Sequence, residues 1–266
     1  MEERRVLHAT EYAMQIAVYK NLEEASQRVA SILVEEVRRK PDAIICVAAG
    51  QSPTRTYHHL ADAARDEKDL FQEARILKLD EWIGPSIDDN YTCEHYIQTN
   101  LIRPLGLRAR RYVAFQSDHP EPVDECVRIR KWIELKGPID ICLLGIGQNG
   151  HVGLNEPGTE ANQVSHIARL TDATLAHSML SDTDFELNRG FTVGLAEILS
   201  SRRIHLLVFG SDKAAVLQKM MSSKATPEFP ASYLVTHEGA VCHCDEAAAA
   251  LIHQDGKRDQ RFSTKD

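Results

Sequence analysis

The sequence predicts an α/β fold, a doubly wound and mostly parallel sheet with helices on both faces. Short apolar runs, typical of strands covered on both faces, alternate with longer segments in which apolar residues recur at helical spacing. Such alternation is typical of parallel strands joined by right-handed helical crossovers. No linker-like stretch divides the 266 residues. We therefore predict one domain over residues 1–254 and a polar, flexible tail over residues 255–266.

The elements follow in order from apolar runs and capping residues. Asn21 is predicted to cap the first helix, with Glu24 as its capping-box partner. Pro53, which suits a first helical turn, marks the start of the second helix, and Asp89 or Asn90 is expected to cap the third. Strands are predicted at residues 14–19, 43–48, 76–79, 112–115, 139–144, 164–170, 204–209 and 240–244. Later helices are predicted at residues 121–135, 174–180 and 246–252, with two more that end near residues 199 and 221.

Composition and charge exclude several classes of function. The net charge is −8 and basic residues form no stripe, so we do not expect nucleic acid as a partner. The first ten residues carry no apolar run, and no stretch approaches the roughly 18 apolar residues of a membrane span. We therefore predict a cytoplasmic protein with no membrane partner. The dinucleotide-binding G-x-G-x-x-G fingerprint and the phosphate loop of nucleotide hydrolases are both absent.

The six cysteines are predicted to be buried free thiols. None stands in a Cys-x-x-Cys pair. Cys242 and Cys244 share one face of a predicted strand, which is weak evidence for a metal site. Free thiols fit a reducing compartment, and we expect no metal.

One stretch carries the strongest functional signal, residues 139–158 with the sequence IDICLLGIGQNGHVGLNEPG. An apolar strand leads into a loop that holds four glycines together with His151 and Glu156. Ligands of open α/β sheets bind beyond the carboxyl ends of the strands, so this loop is a candidate site. The alternative is a flexible surface loop whose imidazole and carboxylate are only solvated.

Two further loops are predicted to open on the same edge. Gly50 and Ser52 lie just before a helix, where backbone N–H groups and the positive end of the helix dipole suit a phosphate. An ordinary capped helix start would look the same. Asp80 follows the strand at residues 76–79, where a carboxylate serves as a base, a ribose contact, a metal ligand or a helix cap.

Three of these segments together resemble the family of glucosamine-6-phosphate deaminases, which are amino-sugar isomerases. They are GQSP at residues 50–53, LDEWIG at residues 79–84 and GIGQNGHVGLNEP at residues 145–157. The resemblance runs from about residue 43 to residue 246. Related 6-phosphogluconolactonases share the Gly-His pair but usually lack Asn-Glu-Pro. The form of the third segment is similar to the galactosamine-6-phosphate deaminase/isomerase branch, and the resemblance implies a Rossmann-like fold of the amino-sugar isomerase type.

The resemblance implies an activity on a phosphosugar without any cofactor. Such enzymes open a cyclic 2-amino-2-deoxyhexose 6-phosphate, move a proton from C2 to C1 and release ammonia with a ketose 6-phosphate. For galactosamine 6-phosphate the ketose is tagatose 6-phosphate. Asp80 matches the family's base. His151 suits acid–base work at the ring oxygen because its ordinary pKa is near neutrality, and Glu156 would orient it.

The remaining site residues also come from the resemblance, with two departures. Lys213 matches a phosphate-binding lysine, while Gly50 and Ser52 form the other side of the phosphate site. Arg189 is expected to replace a phosphate-binding arginine that this chain lacks. Asn149 stands where the family's deaminases usually carry aspartate, and we expect it to bind substrate. The lost charge predicts either a different hexose epimer, which we prefer, or slower ring opening.

Two alternative functions stay open at this point. One is a 6-phosphogluconolactone hydrolase on the same fold, against which Glu156 and Pro157 argue. The other is a non-catalytic phosphosugar sensor, because Asn149 removes a charge from the site. The sequence leaves the epimer, any regulation and the oligomeric state undetermined, and a homo-oligomer is compatible with it.

Overall fold

The computed structural model describes residues 5–9, 13–86, 88–175, 187–255 and 262–263. Over these residues the strands are β1 (Arg5–Ala9), β2 (Gln15–Tyr19), β3 (Ile44–Val47), β4 (Arg75–Lys78), β5 (Asp80–Trp82), β6 (Tyr112–Val113), β7 (Ile141–Leu144), β8 (His166–Arg169), β9 (Arg189–Thr192), β10 (Arg203–Val208), β11 (Ala240–Asp245) and β12 (Phe262–Ser263). The α-helices there are α1 (Leu22–Arg39), α2 (Gln51–Asp66), α3 (Cys93–Ile97), α4 (Pro122–Lys136), α5 (Asp172–Leu175), α6 (Leu195–Leu199), α7 (Ala214–Ser222) and α8 (Ala250–Asp255).

A large sheet forms the centre of the molecule and confirms the predicted fold class. Its strand order is β12-β1-β2-β11-β10-β7-β3-β4-β6. The seven strands from β2 to β6 in that order are all parallel, and β1 and β12 extend one edge in antiparallel pairing. Because these seven strands run in the same direction, their carboxyl ends lie at one edge of the sheet. The loops that follow the strands lie at that edge as well.

Helices cover both faces of this sheet because its central strands are apolar on both sides. Alternate residues of a strand point to opposite faces. In β7, Ile141 and Leu143 belong to a core cluster with residues of α1 and α2. Cys142 and Leu144 belong instead to a cluster with residues of α4, α6 and α7. The continuous apolar run predicted a doubly covered strand, and the structure confirms it.

A smaller antiparallel sheet, β5-β9-β8, stands beside the main one. The sequence analysis predicted β8, within residues 164–170, but missed β5 and β9. The chain passes from β4 to β5 through the single residue Leu79. The N–H of Leu79 still donates to the main sheet at Val47, whereas its carbonyl accepts the N–H of Val193 beside β9. Asp80 therefore begins a strand that leaves the main sheet at its carboxyl edge. Strands this short, with charged residues and a glycine, carry no clear apolar alternation.

The predicted caps hold in part. Asn21 caps α1 by accepting the N–H of Glu24 at 3.0 Å, as predicted, while the Glu24 carboxylate accepts the N–H of Lys20. The predicted cap of α3 is wrong, because Thr92 accepts the N–H of His95. Asp89 instead forms a local turn by accepting the N–H of Ser86.

Other predicted boundaries move or cannot be compared. The last helix begins at Ala250, later than predicted, after a turn. Residues 176–180 of the predicted helix at 174–180 lie outside the described residues. The same holds for most of the predicted tail, in which residues 262–263 form β12. All six cysteines are buried and free, as predicted. Within the described part of the chain, every helix is too short or too polar to cross a membrane.

Candidate active site

A cavity of about 490 Å³ lies at the carboxyl edge of the main sheet. The loops after β3, β4, β7 and β10 line it, together with α5 and the start of β5. Five of the eight predicted site residues line this one cavity: Gly50, Ser52, Asp80, His151 and Lys213. Glu156, Asn149 and Arg189 are not among the lining residues. Around the cavity and elsewhere in the described chain, no cluster of His, Cys, Asp or Glu is arranged to hold a metal ion.

The loop after β3 brings a helix N-terminus to the cavity. Gly50 has φ 113°, in the left-handed region that glycine favours, and α2 starts directly after it. The Tyr96 hydroxyl donates to the Gly50 carbonyl at 2.6 Å and holds the turn in place. The positive end of the α2 dipole therefore borders the cavity, and the Ser52 hydroxyl lies beside Gly145 of the neighbouring loop.

Asp80 is buried, and its carboxyl group is poised to exchange a proton near neutrality. Burial raises the pKa of Asp80 to about 7, and the neighbouring Glu81 carboxylate adds to this rise. The Lys78 ammonium and a hydrogen bond from the Cys93 thiol act in the opposite direction. A carboxyl group with such a pKa accepts and returns protons at neutral pH, which suits a general base.

A buried ion-pair network lies next to Asp80, and the sequence analysis did not predict it. The ammonium of Lys78, with 0% of its side chain exposed, donates to Glu81 at 2.6 Å and to Glu94 at 2.8 Å. Glu81 also accepts the backbone N–H groups of Cys93 at 3.1 Å and of Glu94 at 2.7 Å. These bonds fix the start of α3 to β5 and so hold Cys93 against the cavity. The sequence feature that could have predicted this network is the lysine inside the apolar run ILKL, residues 76–79.

The glycines of the loop after β7 make room for the His151 ring. A Cβ at Gly147 would lie 2.3 Å from the ring's Cε1, so a larger residue would displace the imidazole. Gly150 has φ 88° and packs against Phe229, where a Cβ would meet the ring at 2.3 Å. The backbone N–H of His151 donates to Asn149 Oδ1 at 3.1 Å. The loop therefore presents the imidazole to the cavity in one defined position.

Glu156 is almost fully buried, yet it is held as an anion. Burial raises its pKa, but the neighbouring His151 imidazole, together with hydrogen bonds from Thr174 and Asn149, outweighs burial and lowers the pKa to about 2. Asn149 Nδ2 donates to Oε2 at 2.8 Å, and the Thr171 hydroxyl donates to the same oxygen at 3.1 Å. The Thr171 N–H and the Thr174 hydroxyl donate to Oε1. Glu156 is thus an anion next to the His151 imidazole.

Thr174 is a site residue that the sequence analysis missed. Its Oγ1 lies 3.1 Å from His151 Nδ1, whereas the nearest Glu156 oxygen lies 3.6 Å from that nitrogen. A threonine in a short helix carries no motif, so no sequence signal marked it.

The predicted phosphate ligands differ in their positions. Lys213 lines the cavity and donates to the Ile146 carbonyl at 3.0 Å, and burial lowers its pKa. Arg189 is exposed on β9, where it lies opposite Arg169 of β8. It does not line the cavity, and no described contact connects it with the cavity. Asn149 uses both ends of its amide within the loop, which indicates a role in holding the loop.

Comparisons with known proteins identify the family to which this chain belongs. Residues 20–243 match the family described as glucosamine-6-phosphate isomerases/6-phosphogluconolactonase. A protein of Escherichia coli (strain K12) named as a candidate deaminase, AgaI, is 35% identical over 235 residues, which cover 88% of this chain and 92% of that protein. The glucosamine-6-phosphate deaminase of Bacillus pumilus (strain SAFR-032) is 33% identical over 240 residues, covering 90% of this chain and all of that protein.

Solved structures extend the similarity to the fold. A monomeric glucosamine-6-phosphate deaminase superimposes with a TM-score of 0.85 at 32% identity and covers 89% of this chain and 99% of its own. The 6-phosphogluconolactonase of Trypanosoma brucei superimposes with a TM-score of 0.72 over 91% of this chain and 99% of its own, but at 19% identity it shares only the fold. The chain therefore belongs to the glucosamine-6-phosphate isomerase/6-phosphogluconolactonase family, within which it is an enzyme of the hexosamine-6-phosphate deaminase group.

Proposed function

We propose that this protein is an aldose–ketose isomerase/deaminase acting on galactosamine 6-phosphate or a close hexosamine 6-phosphate. Its products would be a ketohexose 6-phosphate, tagatose 6-phosphate in the first case, and ammonia. One observation carries the proposal: Asp80, His151 and the phosphate-binding elements line a single cavity. Its volume of about 490 Å³ falls within the range of small-molecule sites, roughly 300–1,000 Å³.

The phosphate group is assigned to the end of the cavity formed by α2 and Lys213. Ser52, in the first turn of α2, supplies a hydroxyl beside the positive end of the helix dipole. Lys213 adds a full positive charge from the loop after β10. A helix N-terminus and an ammonium together suit a phosphate dianion, and neither reacts during the chemistry. Their contribution is therefore binding and orientation of the sugar.

Ring opening is assigned to His151. The neutral imidazole takes the proton of the anomeric hydroxyl as the C1 carbonyl forms and the bond from C1 to the ring oxygen breaks. The same nitrogen then gives that proton to the ring oxygen, which becomes the C5 hydroxyl. The anionic Glu156 stabilises the transient imidazolium, as the third member of a catalytic triad does.

Isomerisation and deamination are assigned to Asp80. Its carboxylate removes the proton from C2 of the open-chain sugar while the C2 ammonium of the substrate gives a proton to O1, which produces an enolamine. Asp80 then returns its proton to C1, which produces the C2 iminium. This iminium adds water and releases ammonia, leaving the ketose. A general base typically contributes about 10²–10⁴-fold in rate. With its pKa raised to about 7, Asp80 is about half ionised at neutral pH and serves in both proton transfers.

The preference for galactosamine 6-phosphate is supported by the motif that contains Asn149. The amide keeps the hydrogen bonds that hold the loop and removes a negative charge beside Glu156. His151 and Glu156 are both present, so the change favours a different epimer over a lost activity. Galactosamine 6-phosphate and glucosamine 6-phosphate differ only in the orientation of the C4 hydroxyl.

An ammonia-release assay across glucosamine, galactosamine and mannosamine 6-phosphates tests the proposal. We expect the highest kcat/KM with galactosamine 6-phosphate and no ammonia from the Asp80→Asn variant, which should still bind the sugar. Higher kcat/KM with glucosamine 6-phosphate would correct the epimer alone. Hydrolysis of 6-phosphogluconolactone without ammonia release from any amino sugar would refute the proposed reaction.

A further inference from the structure

The hydrogen bonds around Glu156 constrain the hydroxyl protons of Thr171 and Thr174, whose oxygens lie 3.4 Å apart. The carboxylate is ionised and can only accept hydrogen bonds. The Thr171 hydroxyl accepts from Asn149 Nδ2 at 3.0 Å and donates its one proton to Glu156 Oε2. Thr174 likewise donates its one proton to Oε1, because that oxygen is its closest acceptor. Both hydroxyl protons are thereby committed to Glu156.

This arrangement determines which nitrogen of His151 carries the proton. The Thr174 oxygen lies 3.1 Å from Nδ1, within hydrogen-bond distance. Since its own proton points to Glu156, Oγ1 meets Nδ1 with a lone pair. A hydrogen bond then requires that Nδ1 be the donor, so the neutral ring carries its proton on Nδ1 and a lone pair on Nε2.

A direct bond from the imidazole to Glu156 does not replace this contact. The distance from Nδ1 to Oε2 is 3.6 Å, too long for a hydrogen bond, and Oε2 already accepts from Asn149 and Thr171. The four donors around Glu156 therefore hold it slightly away from the ring. The Thr174 hydroxyl occupies the position between the two groups.

We propose that Thr174 is a positioning residue that holds His151 in the Nδ1–H tautomer and connects it to Glu156 through its hydroxyl. Among the described residues Nε2 has no hydrogen-bond partner, and the ring lines the cavity, so its lone pair is left for the sugar. The inference rests on the proposed function where it concerns the sugar. With the other tautomer Nε2 would carry a proton, and the imidazole could not accept that of the anomeric hydroxyl.

The tautomer is tested in the free protein by two-bond ¹H–¹⁵N correlation of ¹⁵N-histidine at a pH where imidazoles are neutral. The signal that disappears in His151→Gln identifies the ring. We expect the Nδ1–H pattern in the wild type and in Thr174→Ser, which keeps the hydroxyl. Thr174→Val, which has the same shape without it, should populate the Nε2–H form. An Nε2–H pattern in the wild type, or an unchanged pattern in Thr174→Val, would overturn the inference.

The consequence for ring opening is tested with substrate deuterated at C2. We expect Thr174→Val to lower kcat at least about tenfold, since acid–base catalysis contributes about 10²–10⁴-fold. Its isotope effect should shrink towards one, because ring opening then limits the rate, and Thr174→Ser should restore both values. Thr236→Val is the control: it removes an exposed threonine hydroxyl that donates to the Tyr233 carbonyl outside the cavity, so the isotope effect should stay at the wild-type value.

The outcomes separate this inference from the proposed function. If the wild-type protein releases no ammonia from any hexosamine 6-phosphate, the proposed function fails while the tautomer measurement still tests the role of Thr174. If the wild type is active and Thr174→Val keeps its full isotope effect and rate, the role of Thr174 is refuted and the proposed function stands.

Discussion

Asp80, the proposed base, lies where burial disfavours its charged form. It is 9% exposed. No cation among the described residues forms an ion pair with it, because Lys78 pairs with Glu81 and Glu94. Burial and the Glu81 carboxylate together bring its pKa to about 7. Activity and stability should therefore respond to the same titration in opposite directions.

The activity should rise with pH as Asp80 ionises. We expect kcat/KM to increase through an acidic limb with a midpoint near pH 7, because only the carboxylate removes the C2 proton. Glu81→Gln should move this midpoint to lower pH. It removes the negative charge that raises the pKa of Asp80, and the Lys78 ammonium, which lowers that pKa, remains. The measurement is a profile of kcat/KM from pH 5 to pH 9. A midpoint below pH 5 would show that Asp80 does not control the limb.

The stability should respond in the other direction. The folded-state pKa of about 7 exceeds the ordinary value of 3.8, so folding favours the protonated form. The associated stability is complete below pH 3.8 and is lost as pH rises through 7. The ionised group then costs on the order of 4 kcal/mol, at about 1.4 kcal/mol per pKa unit. Asp80→Asn should raise Tm at pH 8 and much less at pH 5, measured by calorimetry. Equal shifts at both pH values would contradict this account.

At the scale of elements, α3 is attached to β5 by buried charges. Glu81 accepts the N–H groups at the start of α3, and Lys78 neutralises both Glu81 and Glu94. The α-helical segment is five residues long and continues directly into a π-helical segment, Gln98–Ile102, so these bonds fix the position of its first turn. The placement of Cys93 beside Asp80 follows from the same attachment.

Removing the ammonium group of Lys78 should therefore destabilise the fold strongly. Lys78→Met leaves two buried carboxylates without their cation, and we expect a loss of roughly 3–5 kcal/mol in the free energy of unfolding. Urea denaturation of the two proteins measures the difference. Arg38→Met is a matched control, because it breaks the exposed pair with Glu67 and should cost less than about 1 kcal/mol. Similar losses in both variants would argue against the buried network.

At the scale of the whole molecule, the cavity is shared by segments far apart in the chain. Its lining extends from Leu22 to Lys213, and the end to which the phosphate is proposed to bind joins the loops after β3 and β10. A ligand that contacts all of them binds only the folded state. Such a ligand stabilises the fold by about 2.7 kcal/mol at a concentration one hundred times Kd.

Galactosamine 6-phosphate should accordingly raise Tm, and Lys213 should carry much of the effect. Lys213→Ala should lose most of the shift and raise KM more than it lowers kcat, because its contact is the same in the ground state and the transition state. Lys224→Ala, an exposed lysine outside the cavity, is the control. An unchanged KM in Lys213→Ala would refute its phosphate role.

Local patterns were enough for much of this architecture. The apolar runs predicted the parallel strands of the main sheet, and Asn21 predicted the start of α1. The short strands β5 and β9 were missed because their pairing, not their composition, makes them strands. The cap at Thr92 was missed because Asp89 and Asn90 have equal or better capping propensity, and only the course of the loop selects between them.

By itself, the sequence determined that loops carrying Gly50, Asp80 and His151 follow parallel strands, and parallel strands place their carboxyl ends on one edge. Only the tertiary structure decided how those groups behave. Three features depend on neighbours that are remote in the chain: the raised pKa of Asp80, the position of the Thr174 hydroxyl between His151 and Glu156, and the exclusion of Arg189 from the cavity lining. Burial and charge act through space, so local sequence patterns predict where a group lies but not its protonation state.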